Sequence, residues 1–204
     1  MDSLLYIDSC TRPAPASRTA TLGEAFLDAY SKTHPGTQID RTILRDMDLR
    51  PYRLKEVDER IAHIKRKEFD IPMFALARRF AAADTIVIAA PFWDCSFPSM
   101  LKLYFEHVCA QDITFGYTAE GQIGLCKATD LVYITTRGDE YRPSGEPDEM
   151  EMASPTIRAM AKMFGIPTCT FIAAGGLDIA GNDPQAILEQ AITEARACAE
   201  RLLS

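Results

Sequence analysis

The sequence predicts a doubly wound α/β fold, with helices on both faces of a five-stranded parallel sheet. Three observations indicate it. Four short runs are continuously apolar at their centres and do not alternate, as is typical of strands in a parallel sheet covered on both faces. These runs alternate with segments of helical periodicity. Hydrophobic residues make up 47% of the 204 residues, enough for a sizeable core. We expect one domain over residues 1–204.

The predicted strands include four apolar runs and one alternating run. The apolar runs are Ser3–Asp8, Thr85–Ala90, Asp130–Thr136 and Thr168–Ala174. Gln38–Leu44 alternates apolar and polar residues and is predicted as the second strand, at a sheet edge. Helical patterns occupy the connections: Arg18–Lys32, Val57–Lys67, Ile71–Ala83, Pro98–Ala110, Met150–Phe164 and Pro184–Leu203. Pro72 and Pro98 suit the first turn of a helix, and Gly165 suits the left-handed residue after one.

Two strand orders fit this alternation, the dinucleotide-binding order 3-2-1-4-5 and the order 2-1-3-4-5. The dinucleotide-binding fold requires a G-x-G-x-x-G motif after the first strand. The segment Ser9–Leu22 contains no glycine, which also excludes a Walker phosphate loop. The order 2-1-3-4-5 is therefore favoured.

Charge and cysteine content narrow the function classes. The net charge of −7 argues against a nucleic-acid-binding protein, which normally presents a basic face. Six cysteines are scattered without a C-x-x-C pair, and only three histidines accompany them, so we predict reduced thiols and no metal site. The first residues contain neither a basic segment nor a long hydrophobic stretch. We expect a cytoplasmic protein without a membrane span.

The loop after the first strand is rich in hydroxyl side chains. These residues lie between the first strand and the first turns of the first helix, where Arg18 also lies. They are Ser9, Thr11, Ser17, Thr19 and Thr21. Unpaired N–H groups at a helix N-terminus attract a phosphate, and hydroxyls there can complete its binding site. The alternative is that Ser17 only caps the helix.

The loop after the third strand contains three aromatic residues within Pro91–Pro98. It follows the strand beside which a doubly wound sheet reverses its winding and leaves a crevice. Phe92, Trp93 and Phe97 could form a flat wall for a planar cofactor, or they could belong to the local core.

The loop after the next strand contains Thr136, Arg137, Gly138 and Asp139, in which the glycine allows backbone to approach a ligand closely. Arg137 is either a cofactor ligand or a structural cation. All three loops are predicted at the carboxyl edge of the sheet.

These loops resemble the FMN-dependent NADH-azoreductases and related NAD(P)H:quinone oxidoreductases, which have a flavodoxin-like fold. The resemblance is densest over Ala83–Lys127, which includes the aromatic loop and a T-F-x-Y-T-x-x-G-x-x-G-L segment from Thr114 to Leu125. It implies a flavodoxin-like doubly wound five-stranded sheet of order 2-1-3-4-5. It also implies a homodimer with each FMN near the interface.

The resemblance assigns cofactor-binding positions in all three loops. They are Ser9, Ser17, Arg18 and Thr19; Pro91, Phe92, Trp93, Asp94 and Cys95; and Thr136, Arg137, Gly138 and Asp139. Phe115 and Tyr117 correspond to family aromatics near the substrate pocket. The alternative is that they only pack within a hairpin, which would look the same in the sequence. The chain departs from the family at Asp94, usually Asn, and at Asp139, usually Gly.

The implied activity is ping-pong two-electron transfer from NADH or NADPH, through FMN, to a quinone, azo or nitro compound. No side chain is assigned as a catalytic acid, because protons can come from solvent in an open crevice. Two alternatives remain at this point: a flavodoxin-type electron carrier, and a flavin-free interaction module that retains the fold.

Overall fold

The computed structural model describes residues 2–141 and 149–202. Their helices and strands follow one another in the order β1 Ser3–Asp8, α1 Arg18–Thr33, β2 Gln38–Ile43, α2 Leu54–Arg66, α3 Ala75–Ala82, β3 Thr85–Ala89, α4 Ser99–Val108, β4 Phe115–Thr118, β5 Gly121–Gly124, β6 Asp130–Thr136, α5 Ala153–Phe164, β7 Thr168–Ala174 and α6 Pro184–Arg201. None of these helices is long and apolar enough to cross a membrane.

Five strands form one parallel sheet in the order β2-β1-β3-β6-β7. Without the inserted strands β4 and β5, this is the predicted order 2-1-3-4-5, which is confirmed. β6 is buried along nearly its whole length, as its continuous apolar sequence predicted. The carboxyl ends of all five strands meet at one edge, so the loops after β1, β3 and β6 lie together.

The structure departs from the predicted elements in several places. β4 and β5 form an antiparallel hairpin, which the apolar patterns did not predict as strands. Pro72 begins a 3-10 turn before α3, and Pro98 precedes α4 instead of lying inside it. α5 begins at Ala153, three residues later than predicted. The predicted end of the last helix, Leu203, lies outside the described residues. Gly165 adopts the predicted left-handed conformation after α5, with φ of 79°.

The sheet separates two apolar layers. Tyr133 and the other side chains on one face pack against α4 and α5. Side chains on the other face, including Val132 and Ile134, pack against α1 and α6. Because both faces are covered, the carboxyl edge is left as the place where loops and a ligand can meet.

Gly23 lies in the middle of α1, where glycine is normally unfavourable. A Cβ at this position would overlap the hydroxyl oxygen of Tyr6. Tyr6 is fully buried in β1, and its hydroxyl has no hydrogen-bond partner within the described part of the chain. Burial raises the pKa of Tyr6 well above its ordinary value. Gly23 therefore provides the space that this hydroxyl occupies.

This contact predicts strong coupling between the two positions. Gly23→Ala should lower the free energy of unfolding by about 2 kcal/mol through overpacking. Tyr6→Phe removes the overlapping oxygen and a buried polar atom without a partner, so the double variant should recover most of that loss. Urea unfolding of the wild type, both single variants and the double variant measures the coupling. A double variant no more stable than Gly23→Ala would contradict this explanation.

Candidate functional site

Hydrogen bonds between backbone groups hold the three predicted loops together at the carboxyl edge. The Ser9 N–H donates to the Ala89 carbonyl at 2.8 Å, at the ends of β1 and β3. The Phe92 N–H donates to the Thr136 carbonyl at 3.1 Å, which joins the aromatic loop to the end of β6. The structure thus brings the three sequence-predicted loops into one site.

The first loop presents one buried hydroxyl without a partner. Ser9 has no exposed surface, and its Oγ forms no hydrogen bond within residues 2–141 and 149–202. Ser17 adopts the capping position of α1, and its Oγ accepts the Ala20 N–H at 3.2 Å. An unpartnered hydroxyl beside a helix N-terminus is a suitable anion ligand.

Thr19 and Arg18 have partners in other loops. The Thr19 hydroxyl lies 2.6 Å from the Thr136 hydroxyl, so the two side chains join α1 to β6. The exposed guanidinium of Arg18 pairs with Asp178 at 3.1 Å, after β7. A Cβ on Gly138 would lie 2.7 Å from an Asp178 carboxylate oxygen, so this glycine leaves room for the carboxylate. Arg18 and Thr19 therefore connect α1 to the other loops of the site.

The second loop contains a tight turn at Asp94 and Cys95. Both have left-handed backbones, with φ of 49° and 62°. Mutual N–H···O bonds between Trp93 and Ser96 close the turn, as in a type I′ turn. Asp tolerates this conformation, whereas a left-handed Cys95 costs roughly 1 kcal/mol. The Cys95 carbonyl accepts the Met152 N–H at 2.9 Å, which attaches the turn to the start of α5.

The three aromatic residues of this loop have different surroundings. Phe97 is buried in the core and packs edge-on against Phe105. Phe92 is half-buried and contacts the ring of Tyr141 at a centroid distance of 4.4 Å. Trp93 is 46% exposed. Of the two interpretations of this cluster, local core therefore applies to Phe97, whereas Trp93 leaves a flat apolar surface at the edge of the sheet.

The guanidinium of Arg137 contacts residues at the start of α5. Its Nη2 lies 3.0 Å from the Ser154 Oγ and 3.3 Å from a Glu151 carboxylate oxygen, both at the start of α5. The side chain is 9% exposed and lines a cavity of about 890 Å³ beside β7. The cation also lies 5.6 Å from the ring centroid of Phe92. These contacts favour a structural role for the Arg137 side chain.

Phe115 and Tyr117 lie at the opposite edge of the sheet. Their hairpin packs against the end of α5, and Gly124 of the hairpin is in close contact with the backbone of Phe164 and Gly165. The chain continues from Gly165 into the amino end of β7. β6 spans seven residues, so the two edges are separated by roughly 20 Å. The structure does not bring these two residues to the three loops of the same chain.

A family model described as a flavodoxin-like fold matches residues 2–198. The chain belongs to this family.

Two curated relatives within the family are similar over nearly their whole length. The FMN-dependent NADH:quinone oxidoreductase of Clostridium beijerinckii is 34% identical over 98% of this chain and 99% of the relative. The FMN-dependent NADH:quinone oxidoreductase 2 of Clostridium acetobutylicum is 35% identical over 96% of this chain and 97% of the relative.

Solved structures of two flavodoxin-like proteins from Bacillus anthracis share the fold. An azoreductase superposes with a TM-score of 0.87 at 24% identity, over 99% of this chain and 100% of its own. An FMN-dependent NADH-azoreductase in complex with FMN has a TM-score of 0.85 at 22% identity, and the match covers both chains completely. At these identities the likeness shows the fold alone.

Tyr141 and Asp178 are among the residues next to these loops that were not predicted from the sequence of this flavodoxin-like chain. Tyr141 packs on Phe92, and Asp178 joins Arg18 to Gly138. The sequence feature that could have indicated Asp178 is its position, because it follows the Gly175–Gly176 pair at the carboxyl end of the last strand. Within residues 2–141 and 149–202, no group of three His, Cys, Asp or Glu side chains could hold a metal ion.

Proposed function

We propose that this chain is an FMN-dependent NADH:quinone oxidoreductase that also accepts azo or nitro compounds. The observation that carries the proposal is the first loop: the buried Ser9 hydroxyl at the end of β1 has no hydrogen-bond partner in the described part of the chain, and the same loop leads to the N-terminus of α1 at Ser17. A terminal phosphate supplies the missing partner, because helix N-termini and hydroxyl donors favour an anion. The names of relatives at 34% and 35% identity support the same cofactor and donor.

The residues present at the carboxyl edge fit FMN. Ser9 and Ser17 would hold its phosphate, and the exposed face of Trp93 with the backbone of the Asp94–Cys95 turn would border its ring. Thr136, Gly138 and Asp139 would border the ring from the third loop.

Bound FMN supplies two-electron transfer from NADH, or NADPH, to the acceptor in a ping-pong sequence. The protein binds the phosphate, orients the ring and leaves one face accessible to both reactants in turn. An electron carrier and a flavin-free module are less favoured, because the relatives that match this chain over nearly their full length are named as oxidoreductases.

We further propose that the protein acts as one domain, in the cytoplasm, as a homodimer. Free thiols at all six cysteines support a reducing compartment. The dimer is supported by the position of Phe115 and Tyr117, which a second copy can place over the carboxyl edge of the first. Exposed apolar side chains on α2 and on the hairpin support a subunit interface, namely Leu54, Val57, Ile61, Tyr117, Ile123 and Leu125.

The activity is tested by reconstituting the protein with FMN and adding NADH without oxygen. The flavin absorbance should bleach rapidly and return on addition of a quinone. An electron carrier would bind FMN but would be reduced by NADH only slowly. A protein that takes up no FMN would contradict the proposed function.

Asp94 provides a second test, because its carboxylate lies in the turn that would border the flavin ring. A negative charge there opposes the charge of the reduced flavin, so Asp94→Asn should raise the two-electron potential by on the order of 10–30 mV, where 30 mV corresponds to about 1.4 kcal/mol. Asn also tolerates the left-handed backbone, so the turn should be retained.

The potential is measured by equilibration with a reference dye. Glu200→Gln is the control, because it removes the same charge from an exposed position in the last turn of α6, outside the three loops and the proposed subunit interface. Equal potentials for Asp94→Asn, Glu200→Gln and the wild type would show that the Asp94 carboxylate does not act on the ring.

A further inference from the structure

The first loop of the site lacks the usual means of fixing a phosphate-binding backbone. Such loops normally use glycine to curl around the ligand, and Ser9–Leu22 contains none. Beside the backbone bond from Ser9 to Ala89, we therefore look to side-chain contacts that fix the residues around Ser9. The structure provides them through Asp8, the last residue of β1, which is 3% exposed.

Asp8 uses both of its carboxylate oxygens. Oδ1 accepts the backbone N–H of Cys10 at 2.8 Å. Oδ2 accepts Nη1 of Arg45 at 2.6 Å, and Arg45 lies in the 3-10 turn Leu44–Asp46 after β2. The same Nη1 lies 3.3 Å from the Cys10 carbonyl oxygen. Arg45 and Asp8 thus hold the residues on both sides of Ser9.

The charge of Asp8 requires this cation. A flavin phosphate carries between one and two negative charges, and Asp8 is adjacent to the serine that would bind it. A buried carboxylate without a counter-ion would repel that phosphate in a medium of low dielectric. The guanidinium of Arg45 is a permanent cation, and its hydrogen bond to Asp8 raises its pKa further, so it supplies the positive charge beside the carboxylate.

We propose that Arg45 is a positioning residue for the FMN phosphate: it neutralises Asp8 and, with Asp8, fixes the backbone around Ser9. This proposal rests on the proposed function, because it requires that FMN binds. It assigns no contact between Arg45 and the phosphate. The expected effect is selective: the Arg45–Asp8 pair should affect the binding of ligands that carry the phosphate, and it should not affect the binding of the flavin ring.

The test measures the affinity of the apoprotein for FMN and for riboflavin, which lacks the phosphate, by quenching of flavin fluorescence. Arg45→Met should weaken FMN binding about tenfold, equivalent to 1.4 kcal/mol, and leave riboflavin binding unchanged. Asp8→Asn should not weaken FMN binding, because the amide oxygen still accepts the Cys10 N–H and Arg45 keeps its charge. The double variant should recover most of the affinity lost in Arg45→Met.

Arg41→Met is the matched control, because Arg41 lies on β2 and pairs with the exposed Glu24 on α1. It should bind both ligands like the wild type. If Arg45→Met weakens FMN and riboflavin equally, the pair only maintains the fold, and the proposal is wrong. If Arg45→Met binds FMN like the wild type, the proposal also fails, while the proposed function stands. A wild type that binds no FMN overturns both.

Discussion

Replacing Gly124 by alanine is expected to lower the free energy of unfolding by about 3 kcal/mol, at the upper end for overpacking. Gly124 ends β5, where the hairpin meets the C-terminus of α5. A Cβ at this position would overlap backbone atoms of Phe164 and Gly165. Backbone atoms cannot rotate away as a side chain does, so the hairpin or the helix end would have to move.

Gly116→Ala is the matched control, because Gly116 lies opposite Ile123 in the same hairpin. A Cβ there would lie 3.4 Å from the Leu125 side chain, an ordinary contact. Its effect should stay within about 1 kcal/mol. Thermal unfolding of both variants decides the matter. A loss of roughly 3 kcal/mol lowers the Tm of a chain of this size by roughly 6–12 °C. Equal Tm values for the two variants would show that the hairpin does not depend on close contact at Gly124.

The sheet could be predicted because its strands carry a continuous signal. β3 and β6 have a continuous apolar run at their centres, without alternation, and both are buried on both faces, so the pattern in the sequence is the pattern in the structure. Gly165 was predictable for the same local reason, since the last turn of α5 needs a left-handed residue. Both of these predictions rested on one segment of chain and its own conformation, whereas the exact starts of α4 and α5 were missed.

The hairpin could not be predicted from apolar periodicity. β4 and β5 have four residues each, and most of them are exposed, so no buried face repeats along the chain. Their pairing depends on contact with α5, which begins about 30 residues later. The resemblance to the family marked this segment through its glycines, but gave neither its strands nor its place at the far edge of the sheet.

Within the site, residue types were predictable and side-chain partners were not. Thr19 and Thr136 were both assigned to the cofactor, yet their hydroxyls meet each other across 117 residues of sequence. The sequence left the role of Arg137 open because its partners, Glu151 and Ser154, lie 14 and 17 residues further along the chain, at the start of α5. Long-range contacts of this kind carry no local pattern, so only the folded chain determines them.

The helix α2 exposes apolar side chains and buries a charged one. Arg60 is its only buried residue among those described, whereas Leu54 is 78% exposed and Ile61 is 45% exposed. With Val57 between them, these residues recur at intervals of three and four and form one stripe along the helix. An exposed apolar stripe costs solubility unless a partner covers it, and we have proposed that the partner is a second copy.

Replacing Leu54 and Ile61 together by aspartate is therefore expected to convert the dimer into a monomer. Two charges in an apolar interface have no counter-ions, so association should be lost. NADH:quinone turnover should fall by at least about tenfold, because the second copy no longer places Phe115 and Tyr117 over the carboxyl edge of the first. FMN binding should persist, because the three loops of one chain hold the cofactor.

Light scattering gives the molecular mass of each variant. For the double aspartate variant, the mass should fall from twice 22.7 kDa to 22.7 kDa. Lys55→Asp is the control: it changes the net charge by the same two units on the same helix and leaves the stripe intact, so it should remain dimeric and active. Circular dichroism establishes that the monomer is folded. A folded monomer with undiminished turnover would show that one chain contains the complete site, and a variant that remains dimeric would place the interface away from α2.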